Sequence, residues 1–275
     1  MGFHISHNTV DRMLRDVLGL GRRQAAKDVS IGTTADRDAQ FRRIDELRRH
    51  FKLWGLPIIS IDTKKKELLG NFHRPGACRT DGQVHTYDHD FATAGDGKLI
   101  PYGVYDVTAN EALMTLAQGA DTGELVGDSI RMWWNRMGRY RYAGAGRILV
   151  LADSGGSNGY RVRLFHEQLW KLAHWLGIPI RVAHLPSYCS KYNPIDHRLF
   201  CHVSRSLKGV ILRSIETVRD AIARTTTSTG LKVKVSVLKR IYQRGVQASE
   251  AFLMGNYILH DDDLPRYNYT TINYS

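Results

Sequence analysis

Between Ile148 and Leu185 the chain reads apolar run, amphipathic segment, apolar run, and this alternation constrains the fold more than any other feature. Ile148–Leu151 ("ILVL") is an unbroken apolar stretch that runs into a carboxylate at Asp153 and a polar, Gly-rich loop, "DSGGSNG". Helical spacing follows from about Tyr160 to Leu176, and "IPIRVAHL" at 178–185 is a second β-branched strand. Strand, helix and strand in succession belong to a sheet with helices packed on it.

Upstream, three strands are expected: Ile58–Asp62, Leu68–Phe72 paired antiparallel to it, and "LIPYGVYDV" at 99–107. A helix over 36–53 carries Phe41, Ile44, Leu47 and Phe51 at helical spacing, and Trp54-Gly55 closes it. A second helix covers 121–138, capped by Asp121 or Thr122, with Leu125, Val126, Ile130 and Trp133-Trp134 on its inner face. Residues 73–98 read as a long irregular excursion, a length that in a compact domain goes with function or mobility. A helix begins near Pro194, since proline suits the first helical turn, and another covers 214–225. A basic stretch at 230–240 and a polar, aromatic tail follow. Early antiparallel strands followed by helix, strand, helix, strand, helix predict an α/β chain: a mixed sheet with helices on both faces.

At the N-terminus, "SHNTVDRMLRDVL" (6–18) predicts a helix with Ser6 or Asn8 as its cap. Its pattern fits the recognition helix of a helix-turn-helix, with Asn8 and Thr9 placed to meet base edges. A plain amphipathic helix fits equally well, because no helix precedes it to complete the motif. Residues 20–40 are polar and basic and read as a linker.

Lys and Arg total 39 against 27 Asp and Glu, a net charge of +12, which points to a polyanionic partner, nucleic acid being the commonest. No apolar run approaches the roughly 18 residues of a membrane span, and "MGFHISHNTV" has no apolar signal core, so a cytoplasmic protein without a membrane partner is expected. The three cysteines, Cys78, Cys189 and Cys201, are widely spaced without a C-x-x-C, which argues against a disulfide framework or a zinc ribbon. His73, His85 and His89, with Cys78 between, lack the close pairing of zinc ligands and read as an exposed polar loop.

Three carboxylates stand where a sheet gathers function, at strand ends. Asp62 ends one apolar strand, Asp153 lies just past another, and Asp196 sits in the first turn of a helix after a third. Mg²⁺ takes oxygen ligands, and two such ions about 3.5–4 Å apart activate a nucleophile and stabilise the leaving oxygen of a phosphodiester. In that arrangement Asp62 bridges both ions, Asp153 and Asp196 each complete one, and the basic surface meets DNA phosphates. Ordinary roles remain open: a turn or cap for Asp153, a helix-dipole partner for Asp196, an ion pair with Lys64, Lys65 or Lys66 for Asp62. An aspartyl-phosphate D-x-D-x-T site is excluded because Lys64 stands two residues after Asp62, and a G-x-S-x-G elbow is absent.

The words "PIISIDTKKKELLGNF", "IPYGVYDV", "LADSGGSNGYRVRL" and "SKYNPIDHRLF", with "ADRDAQF", "SIRMWWNRMG" and "TTTSTGLKV", resemble the Rhodopirellula-type DDE transposases of the ISAzo insertion-sequence group. The resemblance runs in order from about Ile5 to the end. It implies a ribonuclease H-like core and two Mg²⁺ ions, for which Mn²⁺ substitutes. It implies cutting and joining of double-stranded DNA at element ends and in a target, by an enzyme that is nucleoid-associated in a bacterial cytoplasm when DNA-bound and acts as a homodimer. Asp62, Asp153 and Asp196 match the family's carboxylates, although the third is usually Glu. Family members carry more helix-turn-helix sequence before the "S-x-N-T-V" helix, so the chain is expected to be N-terminally shortened. The domains expected are 1–35, a partial helix-turn-helix and linker, and 36–275, the catalytic domain with a C-terminal extension. Lys64 and Lys66 are candidate phosphate contacts. Ser157 and Asn158 either shape the loop or bond DNA. Lys191 and Asn193 are candidates for the strand backbone, and His197 and Arg198 follow Asp196, where only about one of three consecutive helical side chains faces a site. A generic Mg²⁺-dependent nuclease and a catalytically inactive DNA-binding remnant are the alternatives.

Overall fold

The structure, a computed structural model, describes residues 5–23 and 35–272, and part of the linker expected at 20–40 lies outside them. The chain divides into two compact units, Met1–Ile31 and Gly32–Ser275, each described by itself.

In the first unit, α1 (His7–Asp16) is capped by Ser6, whose hydroxyl accepts from the Thr9 backbone N–H. Left-handed Gly19 (φ 64°) lies just beyond it.

The second unit opens with α2 (Arg37–Leu53), followed by β1 (Ile58–Thr63), β2 (Glu67–Leu69), β3 (Gly97–Asp106) and β4 (Glu111–Gly119). Next come α3 (Gly123–Trp133), β5 (Ile148–Ala152), α4 (Arg163–Leu176) and β6 (Ile180–His184). The rest is α5 (Cys201–Ser206), α6 (Ile215–Ala223), β7 (Lys232–Tyr242), α7 (Glu250–Met254), β8 (Ile258–His260) and β9 (Asn268–Thr271). Among the described residues the strands form one sheet in the order β7-β4-β3-β1-β5-β6-β9-β8, with β2 also on β3. Strands β1, β3 and β4 form an antiparallel meander, and β5 and β6 add in parallel on the other side of β1. That is the ribonuclease H-like arrangement, a mixed α/β sheet.

Strand alternation divides the core. Ile59, Ile61, Ile148 and Val150 pack under Leu125, Ile130 and Trp133 of α3 and Phe165, Leu169 and Leu172 of α4. On the opposite face Ile58, Leu149 and Leu151 meet Ile44, Leu47 and Phe51 of α2. Leu99, Tyr105 and Met114 meet Ile195, Leu199, Val203 and the α6 residues Val218 and Ile222. Helices therefore cover both faces.

Several elements differ from expectation. The strand expected at Leu68–Phe72 is only Glu67–Leu69 and pairs with β3, not with β1. Gly70 ends it with φ 136°. The third strand of the meander is β4, whose "EALMTLAQG" is rich in strong helix formers and buried along most of its length, so no alternation marks it. The helix expected over 121–138 is α-helical to Trp133 and widens to a π-turn over Trp134–Gly138. The basic stretch 230–240 is largely β7, where exposed lysines at 232 and 234 alternate with half-buried valines, a charged edge that discourages strand addition. The tail contributes β9, which pairs antiparallel with β6.

Candidate active site

The β1–β5 register pairs Ile61 with Ala152, so the next residues, Asp62 and Asp153, stand level at the ends of neighbouring parallel strands. Alternation puts both carboxylates on the face opposite Ile61 and Ala152. That face receives the segment carrying Asp196. Ser60, two residues before Asp62, donates its hydroxyl to the Asn193 side-chain carbonyl and accepts the Ile195 backbone N–H at 3.2 Å. Asn193 in turn donates to Asp153 Oδ1 at 3.0 Å. One serine–asparagine clamp thus ties the third carboxylate's segment to the strands of the first two. Asp196 then opens a π-turn, Asp196–Phe200, that continues into α5.

Gly103 makes this approach sterically feasible. It lies opposite Asp62 in the β1–β3 register. A Cβ there would stand 2.7 Å from both Ile195 Cδ1 and Phe200 Cε1.

On the other side of Asp62, Asn158 accepts from the Tyr102 hydroxyl at 2.8 Å and makes a long contact to Asp62 Oδ1 at 3.4 Å. The Thr63 backbone N–H donates to the same oxygen at 2.7 Å. Oδ1 of Asp62 and of Asp153 is thereby tethered, while among the described residues neither Oδ2 accepts a hydrogen bond and none of the three carboxylates makes an ion pair.

The electrostatics follow from this. Burial, then the Asp153 charge, pushes Asp62 up to about 8, and the Asp196 and Asp121 charges add to it. Burial and the Asp196 charge push Asp153 to about 6. Asp196 is raised by burial against the lowering effect of His197. Among the described residues no group of three or more His, Cys, Asp and Glu side chains is close enough to hold one metal ion. The charges of Asp153 and Asp196 both act on Asp62, and that of Asp196 acts on Asp153, so the three carboxylates share one electrostatic neighbourhood.

Several of the expected DNA contacts are engaged within the protein. Lys64 is buried and paired with Glu67 at 2.5 Å, and Arg74 holds the other Glu67 oxygen. Asn158 and Asn193 are buried and donate to Asp62 and Asp153. Arg198 lines a cavity with Arg48, Arg49 and Ile58, at the opposite end of β1 from Asp62. Ser157 donates to Asp121 at 2.6 Å. Lys66, Lys191 and His197 are exposed, and the Lys191 ammonium lies 5.3 Å over the Tyr192 ring. In the first unit Asn8 is exposed, and Thr9 shares a hydrogen bond with the capping Ser6.

Sequence reading missed Ser60, Gly103, Tyr102, Asp121 and His184. His184 lies on β6, donates to the Asp153 carbonyl and meets the Tyr269 hydroxyl. Only Ser60 carried a local signal, a hydroxyl inside an otherwise apolar strand.

Comparison with solved structures finds the Mos1 transposase paired-end complex with left transposon end, at 18% identity and TM-score 0.46, covering 78% of this chain and 61% of that chain. The Mos1 strand transfer complex matches at 17% and TM-score 0.49, with 78% and 61% covered. The Mos1 mariner paired end complex with Mn matches at 17% and TM-score 0.48, with 78% and 62% covered. The chain spans about three fifths of the length of these solved chains. No curated protein matches it. A family model described as the Rhodopirellula transposase DDE domain matches residues 1–273, and the chain belongs to that family.

Proposed function

We propose that the chain is an insertion-sequence transposase that cuts and joins DNA at element ends, with divalent metal held by Asp62, Asp153 and Asp196. The observation that carries this reading is the level pairing of Asp62 and Asp153 on adjacent parallel strands, half-buried and, among the described residues, without a cationic partner. Such a pair is unfavourable alone and favourable around a hard cation. The donor set is all oxygen, and the untethered Oδ2 atoms are available to an ion. When bound, two Mg²⁺ or Mn²⁺ ions would activate the attacking oxygen and stabilise the leaving one.

The chain's own residues do the holding. Asn193 and Asn158 keep the carboxylates oriented, and Ser60 keeps Asp196 within reach. Water displaces the 3′-oxygen at an element end, and the freed 3′-hydroxyl then displaces a 3′-oxygen in target DNA. Lys66, Lys191 and His197 are proposed phosphate contacts, and Asn8 and Thr9 are proposed to meet DNA from the N-terminal helix. Pairing two ends calls for two copies of the chain. Among the described residues no helix is long and apolar enough to cross a membrane, and we place the protein in the cytoplasm with its DNA.

The test incubates the full chain and Mn²⁺ or Mg²⁺ with a labelled duplex carrying the element's terminal repeat and a target. Asp62→Ala and Asp153→Ala are expected to lower cutting and joining by about a thousandfold or more, since an ion supplies several kcal/mol and about 1.4 kcal/mol is a factor of ten. Cutting without joining would favour a nuclease. DNA binding without either reaction, restored by Asp196→Glu, would locate the defect in the shorter third carboxylate. Activity that survives Asp153→Ala would overturn the metal role.

A further inference from the structure

A cavity of about 510 Å³ lies between the start of α4 and the α7–β8 segment. Its lining includes Arg161, Arg163 and Arg266 with the rings of Tyr160, Phe252 and Tyr257, and contains no carboxylate. None of these arginines makes an ion pair with a described residue. Arg43, Arg181 and Arg240, elsewhere in the molecule, are each neutralised by Asp or Glu. Arg161 packs over the Tyr160 ring at 5.2 Å. Unpaired guanidiniums around aromatic rings fit a ligand that is both anionic and flat.

Two further observations point to a ligand. His166 lines the cavity, is 6% exposed, and its Nε2 has no hydrogen-bond partner. Nε2 is therefore a buried polar atom left for a ligand to satisfy. Burial also keeps the ring neutral. Second, Gly255 leaves no room for a side chain against Tyr257, because a Cβ would stand 2.0 Å from ring atom Cε2. Tyr257 is thus set into a stack with Phe252 at 5.6 Å and close to Trp170 at 4.3 Å.

The cavity adjoins the one that contains Asp153. Tyr160 and Arg161 also line the cavity that contains Asp153, and Arg161 lines a third with Lys66, Asp121 and Arg244. Tyr160 and Arg161 therefore stand between the Asp153 cavity and the aromatic one. We propose that this cavity takes one unpaired nucleotide of the DNA strand engaged at the carboxylates, its base against the Tyr257 and Tyr160 rings and its phosphate on Arg161 and Arg266. The proposal rests on the DNA reading above and adds that the protein prefers an end with an unpaired base.

The test measures binding of the full chain, without divalent metal, to fluorescent duplexes that are blunt, carry a short single-stranded overhang, or carry the same overhang with abasic residues. The overhang is expected to bind about tenfold tighter than the blunt or abasic duplex, within the range of base–aromatic stacking. 2-Aminopurine placed in the overhang is expected to be quenched on binding. Tyr257→Leu and the surface variant Arg266→Ala are expected to remove most of that preference. If Tyr257→Leu fails to fold, Arg266→Ala and the abasic arm still decide. Equal affinity for abasic and intact overhangs would mean that only phosphate is held, and would overturn the proposal. Equal binding of all duplexes by wild type and Arg266→Ala would overturn it while leaving the transposase reading in place. No binding to any duplex would overturn both.

Discussion

His184 donates its Nδ1–H to the backbone carbonyl of Asp153 over 2.9 Å. A carbonyl only accepts, so this contact fixes the tautomer and leaves Nε2 to accept the Tyr269 hydroxyl at 3.0 Å. The second carboxylate is therefore held through β6 by a tyrosine on β9, near the end of the chain. Tyr269→Phe is expected to weaken Mn²⁺ binding by about tenfold, as loss of a partner behind a ligand does, with little change in far-UV circular dichroism. Titration of Mn²⁺ by electron paramagnetic resonance reads this directly. Unchanged affinity would make the contact purely structural.

Ser60 and Asn193 act as one unit. Asn193→Ala removes the donor to Asp153 and strands a buried hydroxyl on Ser60, a cost of about 1–3 kcal/mol. Ser60→Ala is expected to cost a similar amount, and the double variant less than the two together. Chemical denaturation of all three proteins measures the coupling, and additive losses would show that the two residues act separately.

The raised carboxylates predict a pH dependence. In the absence of metal, Asp62 titrates near 8 and Asp153 near 6 in the folded protein, against an ordinary aspartate value of 3.8. The folded state binds more protons across that window, so the stabilising contribution is complete below the ordinary value and is lost as pH rises through the folded values. Buried His166 and His184, lowered to about 3 and about 4, oppose this below their ordinary value of 6.5, so the melting temperature is expected to fall between about pH 6.5 and about pH 8, at a slope that Asp62→Asn reduces. Added Mg²⁺ is expected to raise it more at the upper end, where the carboxylates are ionised. A slope unchanged in Asp62→Asn would place its origin elsewhere.

Gly103→Ala probes the approach of the third carboxylate. The added Cβ would overlap Ile195 and Phe200. Overpacking of this kind costs about 1–3 kcal/mol. Because the displaced segment carries Asp196, loss of DNA cleavage should exceed the loss of folded protein. Equal losses in both would mean that the glycine serves packing alone.

The places of Asp62, Asp153 and Asp196 in the fold were readable because the signals are local: apolar runs mark β1 and β5, a carboxylate stands at or just past the end of each, and a proline opens the helical segment before Asp196. The resemblance in the surrounding words agreed with that reading. Strand β4 was not readable, because it is buried along most of its length among residues that also favour helix. The pairings of β7 with β4 and of β9 with β6 were hidden for a related reason, since each joins strands distant in the chain.

By itself, then, the sequence determined a mixed α/β sheet with helices on both faces, three acidic positions and an excess of positive charge, because periodicity, strand ends and composition are properties of short segments. Tertiary structure alone decided that Asp62 and Asp153 stand level, that Lys64, Asn158 and Asn193 turn inward, and that His184, Ser60 and Gly103 belong to the site. Each of those roles depends on a partner brought close only by the register of the sheet, and burial set by the whole fold is what raises the carboxylates.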